Sequence, residues 1–133
     1  MKKRILAIVL IFACFGAFTS CNRQIQSKDI YGFPEPTQQI NIIKLSAAQE
    51  TEYTIGSENY DSEDLSVMPI LEWFYGLELT ECDQPEDVEG NESYTFIVND
   101  QPVFSYDYRG DEAYVIVSDK WYKVNNPSVP PIE

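Results

Sequence analysis

From residue 77 onward, apolar and polar positions alternate with a period of two. Residues 77–82, 94–98, 103–108, 113–117 and 121–124 each read as a strand, because successive side chains of an extended chain point to opposite faces. The connections at 99–100, 109–112 and 118–120 are short and rich in turn formers, which makes these strands antiparallel neighbours. Upstream, residues 40–45 are β-branched and mostly apolar, a first strand, and residues 52–55 form a shorter second one. One segment carries the helical period instead. Val67, Ile70, Leu71 and Phe74 stand at i, i+3, i+4 and i+7, on one face of a helix that Trp73 and Tyr75 widen. Ser66 suits the N-cap, and Gly76 is a natural stop. Pro69 then falls in the first turn, where its missing N–H has no intrahelical partner anyway. A start at Ser62 would instead bury Pro69 in the interior and require a kink.

These elements predict an α+β domain over residues 39–126: an antiparallel meander of four to five strands with one amphipathic helix packed on one face. Residues 22–38 lack an apolar period and contain Gly32, Pro34 and Pro36, so they read as a flexible tether reaching about 20–25 Å. Tyr31 and Phe33 within it can rest on the domain or at a membrane interface. Residues 127–133 hold Pro127, Pro130 and Pro131 and form a Pro-rich tail outside the sheet.

The N-terminus follows neither period. Lys2, Lys3 and Arg4 precede an unbroken apolar run from residue 5 to residue 18, too short for a membrane span of about 20 residues but suited to a secretory signal peptide. The run ends in Phe18, Thr19, Ser20 and Cys21. This resembles the lipobox of bacterial lipoproteins, with Phe18 standing where that family usually has Leu. The resemblance covers residues 1–21. It implies a signal peptide over 1–20, cleavage before Cys21 and lipidation of the Cys21 thiol. The competing reading is an ordinary signal peptide or uncleaved anchor with Cys21 incidental. A lipobox, a short tether and a C-terminal meander ending in Asp119, Lys120, Trp121, Tyr122, Lys123 and Val124 also resemble small Gram-positive lipoproteins of unknown function. That second resemblance carries no activity with it.

Charge and residue inventory narrow the chemistry. The 133-residue chain has 22 acidic and 9 basic side chains, no histidine and a net charge of −13. A His-based triad and a His-liganded metal are excluded, and nucleic acid is not expected as a partner. Removing residues 1–20 removes three cations and no acid, so the mature chain would be more acidic still. With Cys14 cleaved off and Cys21 acylated, Cys82 has no partner for a disulfide. Its neighbours Glu81 and Asp83 raise its pKa, which makes it a strand residue rather than a reactive thiol.

The aromatic residues offer the candidate ligand site. Phe104, Tyr106 and Tyr108 alternate on one face of their strand, and Tyr114 and Tyr122 continue that face if the register aligns them. With the helix on the opposite face, they would form an open platform able to stack sugar rings or anchor a protein partner. The alternative packs the same rings under the helix. Seven acids between Glu78 and Glu92 match no calcium loop, since Pro85 interrupts the ligand order. Arg109, Gly110 and Asp111 spell an adhesion tripeptide, yet they also have ordinary turn composition. No cofactor and no metal are expected, and carboxylates alone offer only a remote route to glycoside hydrolysis.

The expected function is therefore a non-catalytic lipoprotein, anchored through Cys21 to the extracytoplasmic face of the cell membrane. Its domain would bind another envelope component, protein or glycan. The alternative is an inhibitor or immunity-type protein that blocks an enzyme through an acidic, aromatic surface, by contacts that weaken with salt.

Overall fold

The computed structural model describes residues 24–56, 67–86 and 91–132. The expected signal peptide, the lipidation candidate Cys21 and the expected N-cap Ser66 lie outside the described residues, as do residues 87–90 of the acidic loop.

In chain order the elements are β1 (Gln24–Gln26), α1 (Ser27–Ile30), β2 (Gln39–Ser46), β3 (Gln49–Gly56), α2 (Met68–Tyr75), β4 (Glu78–Cys82), β5 (Glu92–Val98), β6 (Gln101–Tyr108), β7 (Ala113–Val117) and β8 (Lys120–Val124). The strands form one sheet in the order β1-β4-β8-β7-β6-β5-β2-β3, and every pairing is antiparallel. The consecutive run β5 to β8 is the expected meander, but it is the middle of a larger, β-rich sheet of eight strands. β2 joins one side of it through β5, and β4 joins the other through β8. The chain therefore has to cross from β3 at one edge to β4 near the other, and α2 lies on that crossing.

Helix α2 forms where the 3.6-residue period placed it. Pro69 occupies the first turn and Gly76 caps the end, donating its N–H to the Glu72 carbonyl at 3.1 Å. Ile70 and Phe74 are fully buried, and Val67 nearly so. Their counterparts on the sheet are Ile40, Ile42, Tyr94, Phe96, Phe104, Tyr106, Val115, Leu79 and Val124. Phe74 stacks on Phe104 at 4.4 Å between ring centroids, and Phe104 stacks on Phe96 at the same distance. Strand alternation explains the choice of face. Phe96, Phe104, Ile42 and Tyr53 are cross-strand neighbours in register, so their rings and branches share one side of the sheet.

The segment read as a tether is part of the domain from Gln24 onward. β1 pairs with β4, Gln24 opposite Thr80 and Gln26 opposite Glu78. The Ser27 hydroxyl is buried and donates to the Phe74 carbonyl. Phe33 is only 6% exposed; its ring meets Tyr31, Phe74, Tyr75 and Phe104 at centroid distances of 5.0 to 6.0 Å. Its backbone N–H donates to the Tyr75 hydroxyl at 2.9 Å. The Phe33 ring, part of the Tyr31 ring, the β1–β4 pairing and the Ser27 and Phe33 hydrogen bonds together offset the entropy of ordering this segment; no one of them would do so alone. The prolines and glycine that suppress regular structure do not prevent that docking.

The Pro-rich tail stays outside the sheet, yet it too is docked. Asn126 bridges the helix and β4: its side-chain amide donates to the Gly76 carbonyl at 2.9 Å, and its side-chain oxygen accepts the Glu78 N–H at 2.8 Å. Ser128 lies against Trp73 and Tyr106, and Pro130 is buried.

Three two-residue hairpin turns tie the strands. Asn99 and Asp100, Ser118 and Asp119, and Ala47 and Ala48 all have positive φ at both positions, the geometry that matches strand twist. The first two pairs include residues that tolerate it; alanine does so less readily.

Candidate functional site

The five aromatic residues expected to form an open platform do not share an open face. Phe104 and Tyr106 are buried beneath α2 and the tail. Tyr122 sits opposite Val115 on that same inner face and is buried as well. Tyr114 pairs with Asp107, which points to the other side of the sheet. It is 7% exposed, with Trp121 beside it at 6.0 Å and the Arg109 guanidinium over its ring at 5.3 Å. Only Tyr108 keeps a half-buried ring at the margin of a cavity. The helix chose the face that carries Phe104 and Tyr106 because that face also carries Phe96, Ile42 and Leu79, the larger apolar area.

The cavity beside Tyr108 is the candidate site. It is a cleft of about 560 Å³ bounded by Lys44, Glu92, Tyr94, Tyr108, Arg109, Gly110 and tail residues 129–132. Three strands supply its floor in register: Lys44 on β2 faces Tyr94 on β5, and Glu92 on β5 faces Tyr108 on β6. Glu92 organises the polar groups. One carboxylate oxygen lies 3.7 Å from Lys44 Nζ, and the other accepts the Tyr94 hydroxyl at 2.7 Å. Lys44 Nζ also lies 5.7 Å from the centre of the Tyr94 ring. The ion pair is part-exposed, so it contributes at most about 1 kcal/mol; its effect is to fix where donor and acceptor stand.

The tail makes the opposite wall. The Tyr106 hydroxyl donates to the Ser128 carbonyl at 2.7 Å, the Ser128 N–H approaches that hydroxyl at 3.3 Å, and Trp73 Nε1 donates to Ser128 Oγ at 3.0 Å. Burial pushes the Tyr106 hydroxyl up to about 12, and burial together with the Glu92 hydrogen bond pushes Tyr94 well above the usual phenol range. Both therefore stay protonated at neutral pH and serve as donors, not nucleophiles. Each phenol spends its one proton within the protein, so a ligand in the cleft would meet the Lys44 and Arg109 cations, the Glu92 carboxylate, the Tyr94 hydroxyl oxygen as an acceptor, and the Tyr108 ring. Its size falls within the roughly 300–1,000 Å³ typical of small-ligand clefts.

Of the five aromatic residues expected to bind a ligand, only Tyr108 lines this cleft; the sequence singles out Arg109 only within a turn tripeptide and Glu92 only at the end of an acidic run, and it does not single out Lys44 or Tyr94 as site residues. A signal existed. Strand alternation puts Lys44 on the same face as Ile40 and Ile42, and Glu92 on the same face as Tyr94 and Phe96. Opposite charges at inward positions of two strands are a pair in search of each other.

The other motifs resolve differently. The Arg109-Gly110-Asp111 tripeptide is at a turn, where the Arg109 N–H donates to the Glu112 carbonyl at 2.8 Å and Gly110 has φ +93. The Arg109 side chain is not displayed: Nε and Nη2 are buried and have no hydrogen-bond partner among the described residues. Burial raises the pKa of the Cys82 thiol, as expected from sequence, although desolvation outweighs the neighbouring acids. Among the described residues, no three side chains of the metal-binding types converge, and no helix is long and apolar enough to cross a membrane.

No protein-family model matches the chain, and neither a curated protein nor a solved structure is similar to it.

Proposed function

We propose that this chain is a lipid-anchored, extracytoplasmic binding module of a bacterial envelope, and that the cleft between the tail and strands β2, β5 and β6 holds its ligand. The observation that carries the binding role is the Glu92-centred arrangement: Lys44, Glu92 and the Tyr94 hydroxyl are fixed side by side at the floor of a ligand-sized cleft. Mixed donors and acceptors beside the Tyr108 ring suit a polar ligand with hydroxyl or amide groups, such as a glycan or an extended peptide. The anchor rests on the residues Lys2, Lys3, Arg4, the apolar run and Cys21.

Two measurements test this reading. Cells fed an alkyne-tagged fatty acid should label the wild-type protein and not Cys21→Ser, and only the labelled form should sediment with membranes. A photo-crosslinking residue in place of Val129, at the rim of the cleft, should capture the same envelope component repeatedly. Glu92→Gln should lower that capture several-fold. Absence of label on Cys21 refutes the anchor; failure to recover any consistent neighbour refutes the binding role.

A further inference from the structure

Strand register gives the sheet two chemically distinct ends. At one end lie the Asn99-Asp100 and Ser118-Asp119 turns, the start of β2, and residues 83–86 that follow β4. At the other end lie Glu92, Tyr108, Arg109, Gly110 and the cleft. β1 enters from the first end. Gln24 pairs with Thr80, two residues short of Cys82, and Gln26 pairs with Glu78 farther along.

This removes the long tether. Cys21 is three residues before Gln24, so a fully extended connection reaches no more than about 10 Å. Gln24 itself stands roughly 7 Å up the strand from the level of Cys82, at about 3.4 Å per residue. A lipid on Cys21 therefore cannot lift the domain clear of the headgroups. β6, with eight residues, spans roughly 26 Å at the same rise, and this separates the two ends.

We infer that the sheet stands on the membrane by its turn end, with residues around Asn99, Ser118 and Lys120 at headgroup level, and that the cleft opens away from the bilayer. The partner of the turn end is the lipid surface, and the ligand of the cleft arrives from the side facing away from the membrane. This inference rests on the lipid-anchor reading and adds an orientation to it. Asp83, Glu86, Asp100 and Asp119 are exposed at the turn end beside Lys120, so contact is expected to be closest on uncharged headgroups.

The test uses the native, membrane-extracted protein reconstituted in phosphatidylcholine vesicles doped with a nitroxide-headgroup lipid. In a Cys82→Ser background, a fluorophore is placed at Lys120→Cys or Gln101→Cys on the turn end, and at Asp111→Cys on the cleft end. All three positions are exposed. The nitroxide should quench the two turn-end probes several-fold more than the Asp111→Cys probe. Equal quenching at both ends, or stronger quenching at Asp111→Cys, overturns the orientation. The two turn-end variants guard against one local distortion. Failure of the parent reading looks different: Cys21 carries no acyl group and the protein never partitions to the vesicles.

Discussion

Replacing Phe33 with alanine separates a tether from a wall of the core. Were residues 24–38 a flexible leash, Phe33→Ala would act like an ordinary surface substitution, within about 0.5 kcal/mol. In the fold, Phe33 is 6% exposed and its ring touches Tyr31, Phe74, Tyr75 and Phe104. Truncating a buried Phe costs about 3–5 kcal/mol. The peripheral position of Phe33 argues for the low end, about 3 kcal/mol. Unfolding entropy near 2.1 cal/mol/K per residue over the roughly 95 described residues is ~0.20 kcal/mol/K, so Tm should fall by about 15 °C. The assay is thermal unfolding of a soluble form beginning at Asn22, followed by circular dichroism. Val129→Ala is the control, because Val129 is half exposed. A fall of less than about 3 °C, indistinguishable from the control, would mean that the N-terminal segment contributes nothing to the core.

Backbone geometry makes two further predictions. Gly56 has φ +89, and a Cβ there would stand 2.1 Å from the Gln38 carbonyl oxygen, so Gly56→Ala should cost at least about 2–3 kcal/mol in urea unfolding. Gly110→Ala, also at positive φ but with open space around it, should cost only about 1–2 kcal/mol; equal losses would refute the clash. Ala47→Asn combined with Ala48→Gly should stabilise the β2–β3 turn by about 1–2 kcal/mol, since both alanines hold positive φ; a lower melting temperature would count against this turn geometry. Asp107 is buried, and desolvation raises its pKa despite the Ser93 hydrogen bond and nearby Arg109. The native state thus holds this proton more tightly than the unfolded chain, and the group's contribution to stability falls as pH rises from the unfolded value through the raised folded one. Asp107→Asn should therefore stabilise the protein relative to wild type at pH 7 and lose that advantage as the pH drops toward 4; an advantage unchanged with pH would refute the assignment.

What could be read from the sequence was local. β5 to β8 and α2 announce themselves because each carries its own period, and the turn at Asn99-Asp100 its own chemistry. β1 does not: three residues pair with a strand more than fifty positions away, and no local pattern encodes that contact. The early part of β3, Gln49 to Glu52, is polar on both faces because it forms a sheet edge, where packing makes few demands. The aromatic platform failed for a related reason. Alternation groups Phe104, Tyr106 and Tyr108 on one side of β6, but it cannot say on which side the helix lies. Nor does it give the β6–β7 register that puts Tyr114 on the far side. The Lys44–Glu92 pair was within reach, since both charges occupy inward positions; what was missing was the adjacency of β2 and β5.

The dimensions of the sheet explain why the flanking segments 27–38 and 126–132 are drawn onto the core. An eight-residue α2 is about 12 Å long. Eight strands at about 4.8 Å spacing make a sheet about 34 Å across. One short helix cannot cover the inner face of such a sheet, and Ile42, Tyr94, Phe104 and Leu79 would be left partly wet. Tyr31 and Phe33 extend the cover beside Phe74 and Tyr75, while Ser128, Pro130 and Ile132 extend it beyond Trp73. The segments rich in proline and glycine are thus lids over the core, held by aromatic contact and single hydrogen bonds in place of a ladder. The cleft arises where the second lid stops short of the floor. There the residues of the floor change from apolar to Lys44, Glu92 and Tyr108. A surface that was merely uncovered core would have stayed apolar. The change in chemistry at the place where the cover ends is the reason to read this gap as a site.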